Sequence, residues 1–515
     1  MLYRINQYQT VRSRLLRLPL FLLLCGIASA TMMVPAVHAS IIRELETART
    51  FFYSGILGLI IAGLVALAHS GRKTRQGALG PLLSLFSAFV FLPLLLAVPF
   101  FESLKTTTFL HAYIEMVSSI TTTGATLYDE PARLNDSLHL WRAIVGWMGG
   151  LLMWVAASAI LAPLNLGGFE VTARAKVKNR ETFNLGMALP ETRAHIVSVG
   201  LVLLPIYAGL TGLLWVLLAL SGDSSLVAVC HAMSVMATSG ISPVGGLIQT
   251  SSGLLGEVFI LFFMLFALSR LTFSKDTVIA DTGGLLRDPE FRIGLALMVF
   301  VPFFLFFRHF WGAYDVALDT DIRSAFLAMW GSVFTVLSFL TTTGFSSSDW
   351  GAAQAWSGLE TPGVLLMGLA LIGGGVATTA GGVKLLRVFA LYQNGLREME
   401  RLIHPSSVSD NSGFGKRLQK DGAFIAWIFF MLFALSLALV TIAFTALDVP
   451  FDTALVMTVA GLSTTGPLLE FGGDGPIRLV ETTSSVKCIF AAAMVLGRLE
   501  TLAIIALITQ DLWRN

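Results

Sequence analysis

Charge is the scarcest ingredient of this sequence: Asp, Glu, Lys and Arg make up 13% of its 515 residues, against about a quarter in a soluble domain. With 55% hydrophobic residues and a mean hydropathy of +0.77, that deficit excludes a soluble globular enzyme. Cysteine is nearly missing as well. Cys25, Cys230 and Cys488 stand singly in apolar surroundings with no CxxC pair, which excludes a disulfide framework and a thiolate metal site. A formal net charge of +2 gives no ground for a nucleic-acid partner. What is present instead is a succession of apolar runs of about twenty residues, each long enough to cross a ~30 Å hydrocarbon layer as a helix. Lipid offers backbone groups no partners, so an all-α polytopic membrane protein surrounded by membrane lipid follows.

The few basic residues gather in alternate loops: GRKTR at 71–75, TARAKVKNR at 172–180, Arg270 to Arg292, and Lys384 to Lys420. The positive-inside rule places these loops, and with them both termini, in the cytoplasm. At the N-terminus Arg12, Arg14 and Arg17 precede an apolar run, and VHA before Ser40 resembles a signal-peptidase site. An uncleaved first helix has the same charge pattern and is the reading adopted.

After two leading helices, near 18–38 and 50–69, one pattern recurs four times. A long apolar helix is followed by a short apolar run of roughly ten to sixteen residues, a Thr/Ser-Gly knot and another long helix. The knots are TTTGAT (121–126), ATSGIS (237–242), TTTGFS (341–346) and STTGPL (463–468). Their glycines, Gly124, Gly240, Gly344 and Gly466, are 116, 104 and 122 residues apart. The short runs are too short to span, as expected of re-entrant segments. Irregular backbone at membrane depth is tolerated where it lines a protein-walled path, so four copies point to a central pore. The chain divides accordingly into two leading helices (1–75), pore repeat 1 (76–165), a cytosolic loop with pore repeat 2 (166–275), pore repeat 3 with a Gly-rich loop (276–392), a cytosolic loop (393–421) and pore repeat 4 (422–515).

Thr and Gly suit such a place. Backbone carbonyls replace the hydration shell of a cation without adding fixed charge, and Gly turns the backbone through left-handed conformations at no steric cost. Each short helix aims its negative C-terminal end at the centre. Asp223, Asp321 and Asp452, near the starts of three of them, suit the positive ends. The knots hold no carboxylate ring of the kind that would favour divalent ions, so the chemistry is that of a monovalent-cation filter. Acids do follow three knots: Asp129 and Glu130, Asp349, and Glu470 with Asp474. They either raise the cation concentration at an outer mouth or are ordinary solvated loop residues.

GGGVATTAGGVK, residues 373–384, breaks the long helix after the third knot. It fails as a Walker A loop, since Gly382 is followed by Val383, Lys384 and Leu385. Five glycines around a Thr pair will not hold a straight helix, and below a filter the break reads as a gate. Arg498 and Glu500 lie in the apolar helix after the fourth knot. An intramembrane Arg faces a cavity or a partner by default, and beneath a cation filter it is an electrostatic barrier.

With these motifs in view, the chain resembles the Trk/Ktr/HKT superfamily of potassium transporters, and within it the Trk-type membrane subunits. WMGGLLMWVAASAILAPLNLGG, LLRDPEFR, TTTGFSSSDW, GGGVATTAGGVK, RLIHP, STTGP and GRLE carry the resemblance over nearly the whole chain. It implies four fused outer helix–pore loop–inner helix units around a potassium pathway, and a homodimer in the bacterial inner membrane. It also implies a cytosolic TrkA-type nucleotide-binding regulatory subunit, and potassium as the transported ion with no organic cofactor. Carried over by position, the ion-coordinating residues are Thr122, Thr123 and Gly124; Thr238, Ser239 and Gly240; Thr342, Thr343 and Gly344; Thr464, Thr465 and Gly466. The gate is Gly373, Gly374, Gly375, Thr378, Thr379, Gly381 and Gly382, with Arg498 facing the pore. The first cytosolic loop, 171–195, matches the family pattern weakly. Pro467 is followed by Leu468 where the family commonly has Gly, so a stiffer fourth segment is expected.

Two rivals are a sodium-coupled Ktr-type transporter and, from a different class, a polytopic intramembrane enzyme. A catalytic cluster would start from His111 and Glu115, which share a helical face, or from His231 at the matching place in repeat 2. All three are read as packing residues of the short helices, and no enzyme activity is expected.

Overall fold

Backbone groups that find no water must bond within their own segment, and among the described residues every regular element is a helix. The computed structural model describes residues 19–69, 79–162, 189–269, 288–312, 322–359, 361–403, 420–473 and 475–499. Eight helices among them are long and apolar enough to cross a membrane. The chain opens with α1 (Leu20–Thr31), α2 (Met33–Ile41) and α3 (Leu45–His69). The VHA stretch lies inside α2, with Ala39 fully buried.

In repeat 1, α4 (Leu79–Val90) and α5 (Leu92–Ser103) form one outer span, α6 (Phe109–Ile120) is the pore helix and α7 (Asp136–Ala156) the inner helix. Repeat 2 follows with α8 (Leu189–Leu220), α9 (Ser225–Ala237) and α10 (Gly253–Met264). Repeat 3 has α11 (Pro289–Gly312), α12 (Ile322–Leu340) and an inner helix broken into α13 (Trp350–Ser357), α14 (Pro362–Ile372) and α15 (Leu385–Ile403). Repeat 4 has α16 (Lys420–Thr445), α17 (Phe451–Leu462), a single turn α18 (Leu468–Phe471) and α19 (Ser484–Leu499). Outer helices turn residues such as Phe300, Phe303, Leu435 and Leu439 outward, as a lipid-facing surface requires.

The third pore helix corrects one expectation. At 19 residues, α12 is not too short to span, because the helix begins at Ile322, three residues before the apolar run that starts at Ala325. What marks it as a pore helix is its place before the knot.

Packing closes the four repeats into a ring. Inner helix α7 packs on pore helix α9 of the next repeat, α10 on α12, α14 on α17, and α19 on α6 of the first. Each pore helix is therefore held between its own unit and the preceding one, with the knots inside. The leading helices stand outside this ring, with α3 against α5 and α2 against α7.

Candidate ion pathway

Each pore helix ends in the same way. The residue two before the filter glycine donates its N–H into the last helical turn: Thr122 to Ser119 O, Thr238 to Val235 O, Thr342 to Phe339 O, and Thr464 to Gly461 O. The next residue, Thr123, Ser239, Thr343 or Thr465, donates to the carbonyl five residues back at 2.9 Å in all four repeats. These bonds hold Thr122, Thr238, Thr342 and Thr464 at φ of 55, 50, 57 and 55°. A β-branched residue at positive φ is a strong outlier, costing of order 1–3 kcal/mol. Four at equivalent positions mark a strained, repeated element. The sequence reading assigned the left-handed turns to glycine alone. Gly124, Gly240 and Gly344 are left-handed, but the threonines share the role and no sequence signal announces it.

Gly466 does not. Its φ is not positive, and its N–H donates to Thr123 O at 2.6 Å. Pro467 follows in helical conformation (φ −59°, ψ −13°) and opens α18. A Cβ placed on Gly240 or Gly344 would meet the Pro467 ring at 2.7 and 2.8 Å respectively. The fourth segment is thus the one that crosses toward its neighbours.

The inner ends of the segments meet the Gly-rich stretch 373–382. The Thr379 hydroxyl donates to Met236 O at 3.3 Å and lies 3.2 Å from Thr238 Oγ1. Gly381 donates its N–H to Thr342 Oγ1 at 2.7 Å, and its Cα side lies against Ser463 O and the Thr464 hydroxyl. The stretch is closed at its neck by Val383 N–H to Leu371 O and Lys384 N–H to Ile372 O, both 2.9 Å. The short turn after α10, Leu265–Leu268, holds it from the side through Gly375 N–H to Ala267 O at 3.0 Å. Glu290, in the DPE stretch at the start of α11, accepts from Val376 N–H at 3.0 Å. Arg498, only 3% exposed, donates to Thr379 O at 2.7 Å. The other two inner hydroxyls, Thr122 Oγ1 and Thr464 Oγ1, are buried without a hydrogen-bond partner.

Two carboxylates brace the segments from behind: Glu115, read from the sequence as a packing residue of its pore helix, and Glu257, which the sequence reading missed. Glu115 pairs with Arg142 at 2.7 Å and accepts from Leu127 N–H at 3.0 Å. Glu257, on α10 of repeat 2, reaches the chain after the third knot. It accepts from Trp330 Nε1 (2.8 Å), Ser347 Oγ, Ser348 N–H and Ser348 Oγ (each 2.7 Å). A lone acid within an apolar helix is the signal that should have singled it out.

His111, His231 and Glu115 do not gather. His111 Nε2 is 3.2 Å from Lys487 Nζ, and His231 Nε2 is 2.8 Å from Ser242 Oγ. No group of three His, Cys, Asp or Glu side chains capable of holding a metal occurs among the described residues.

Asp223 does lie at the start of its pore helix, one residue before the cap. Ser224 caps α9 through Val227 N–H, while Asp223 Oδ1 accepts from Ser252 N–H at 2.9 Å. Asp452 does sit in the first turn of α17. Asp321, Asp474, Glu500, both termini and most of the basic loops lie outside the described residues. In the loop after the first knot Asp129 lies 3.9 Å from Arg478. Burial pushes its carboxyl above the usual range, against the pull of Arg478. Burial and nearby Glu257 likewise raise Asp349.

A ring of four helix–segment–helix units enclosing one axis, with strained polar backbone inside it and lipid-facing helices outside, defines a multi-pass pore-loop membrane transport protein. A family model described as TrkH, cation transport protein, matches residues 50–513, and the chain belongs to that family. It is 30% identical to the Trk system potassium uptake protein TrkH of Salmonella typhimurium over 504 residues, covering 96% of this chain and 98% of the relative. It is 31% identical to the Trk system potassium uptake protein TrkI of Halomonas elongata over 439 residues, 83% of this chain and 82% of the relative. The crystal structure of the potassium transporter TrkH from Vibrio parahaemolyticus superposes with a TM-score of 0.78 at 23% identity, over 97% of this chain and 99% of that one.

Proposed function

We propose that this chain is the membrane subunit of a potassium uptake system of the bacterial inner membrane. The segments Thr122–Gly124, Thr238–Gly240, Thr342–Gly344 and Thr464–Gly466 select potassium. The stretch Gly373–Gly382, with Arg498, closes the pathway below them. The observation that carries this reading is the seating of the Gly-rich stretch on the inner ends of the segments, through Thr238, Thr342 and Thr464. A carbonyl-lined constriction replaces a hydration shell. The guanidinium held under it by Thr379 O opposes the exit of a cation.

The names of the relatives support potassium as the ion. Release of the closing stretch falls to a cytosolic TrkA-type nucleotide-binding subunit, and the contact of Glu290 with Val376 offers it a lever from the cytosolic side. A homodimer and cytoplasmic termini complete the proposal, with the domain division set out above. Rubidium tracer flux into liposomes tests it, comparing the wild type with Gly344→Ser. Flux blocked by potassium but barely by sodium, with that preference lost in the variant, supports it. Absence of rubidium flux in folded protein lacking residues 373–382 overturns it.

A further inference from the structure

Resting on the filter reading above, a second repeated device stands behind the segments. Nine residues before the filter glycine, in the middle of the pore helix, stand Glu115, His231, Thr335 and Met457. The first three are buried polar side chains, unlike in chemistry but alike in what they bind. Each reaches the chain two or three residues beyond its own glycine. Glu115 accepts from Leu127 N–H at 3.0 Å. His231 Nε2 lies 2.8 Å from Ser242 Oγ. Thr335 Oγ1 accepts from Ser347 N–H at 3.2 Å.

Each bond ties the outgoing strand back to the pore helix, so that the segment between is pinned at both ends. In the fourth unit the position holds Met457, whose thioether is at best a weak acceptor. That is also the unit whose glycine has left the left-handed region. Its N–H is bonded sideways to Thr123 O, and its outgoing chain coils at once into α18. The three segments with a polar strut share one backbone course, and the unit without one departs from it.

We propose that Glu115, His231 and Thr335 are positioning residues for ion selection. Each fixes the carbonyl direction of its own filter segment by a bond to the outgoing strand, and the apolar Met457 frees the fourth segment to take its crossing path. Buried polar groups that are fully bonded specify a single arrangement of what they touch, whereas a thioether packs without directing.

The test is competition of sodium against rubidium flux in liposomes, on protein checked for unchanged melting temperature and elution volume. Thr335→Val keeps the shape and removes the acceptor, Thr335→Ser restores it, and Met457→Leu alters the unstrutted unit. Thr335→Val is expected to lose roughly three- to tenfold of its preference against sodium, the range of one neutral hydrogen bond. Thr335→Ser and Met457→Leu are expected to keep the preference. If Thr335→Val does not fold, Ser242→Ala removes the partner of His231 and is expected to show the same loss. Full selectivity in Thr335→Val, or an equal loss in Met457→Leu, overturns the proposal. Gly344→Ser, run alongside, separates the two levels. Its failure to change selectivity would fault the filter reading itself, while a loss there with none in Thr335→Val would fault only the struts.

Discussion

Arg498 donates to the carbonyl of Thr379 at 2.7 Å, joining the last inner helix to the tip of a stretch 119 positions earlier in the chain. It is one of several bonds that hold the stretch seated against three of the four segments, beside that of Glu290 with Val376. A hydrogen bond to a charged group contributes about 1.5–3 kcal/mol. Arg498→Ala is therefore expected to raise rubidium flux about 10- to 100-fold without any partner. Arg498→Lys should fall between, since an ammonium lacks the planar fork. Unchanged flux in folded Arg498→Ala would show that the bond does not limit conduction.

Gly344 adopts φ +83°, and an added Cβ would lie 2.8 Å from the ring of Pro467. Gly344→Ala is expected to lower the melting temperature and weaken exclusion of sodium, since a left-handed alanine costs about 1–2 kcal/mol before any clash. Gly351→Ala is the matched control, because nothing lies within 4 Å of its Cβ position. Thermal unfolding followed by tracer competition on both variants distinguishes local strain from a general effect.

Glu257 gathers four donors from the third repeat, two of them the hydroxyls of Ser347 and Ser348. Glu257→Ala strands them in a buried site and is expected to cost about 2–4 kcal/mol of stability. Glu257→Gln, which keeps an acceptor oxygen, should cost less. Equal melting temperatures for the two variants would mean that the donors find other partners.

Acidification should weaken uptake. The carboxyls of Asp129 and Asp349 are raised by burial. A raised acid takes up its proton at a higher pH than a free carboxyl does, so its negative charge is lost earlier as pH falls. Charge at a mouth raises local cation concentration, and its loss lowers flux at limiting potassium. Asp129→Asn with Asp349→Asn should show lower flux at neutral pH and a flatter profile below it. A profile unchanged by the double substitution would assign the acids to loop structure.

Much of the architecture was legible because its causes are local. Apolar runs interrupted by TTTG-like knots at intervals of 116, 104 and 122 residues have few solutions in lipid, where an irregular backbone must face a protected path. The five glycines of 373–382 act through their own stretch of chain in the same way. Legibility failed where a residue's conformation depends on remote partners. TTTG and STTG look alike as letters, yet Gly466 parts from the other three through its bond to Thr123 and the turn at Pro467. Asp223 stands next to the cap of α9, and nothing local announces that its carboxylate accepts from Ser252, 29 positions on. The span of α12 was underestimated because its first turn carries little of the apolar pattern.

The sequence by itself determined that this chain crosses the membrane many times, that it repeats one unit four times, and where each unit turns polar. Solvation decides those points, and it acts residue by residue. Only the tertiary structure decided that each inner helix packs on the next unit's pore helix. The same packing sets Thr379 between Thr238 and Arg498. These follow from closing the ring: contacts between residues over a hundred positions apart form only when all four units are in place, and no single stretch encodes them.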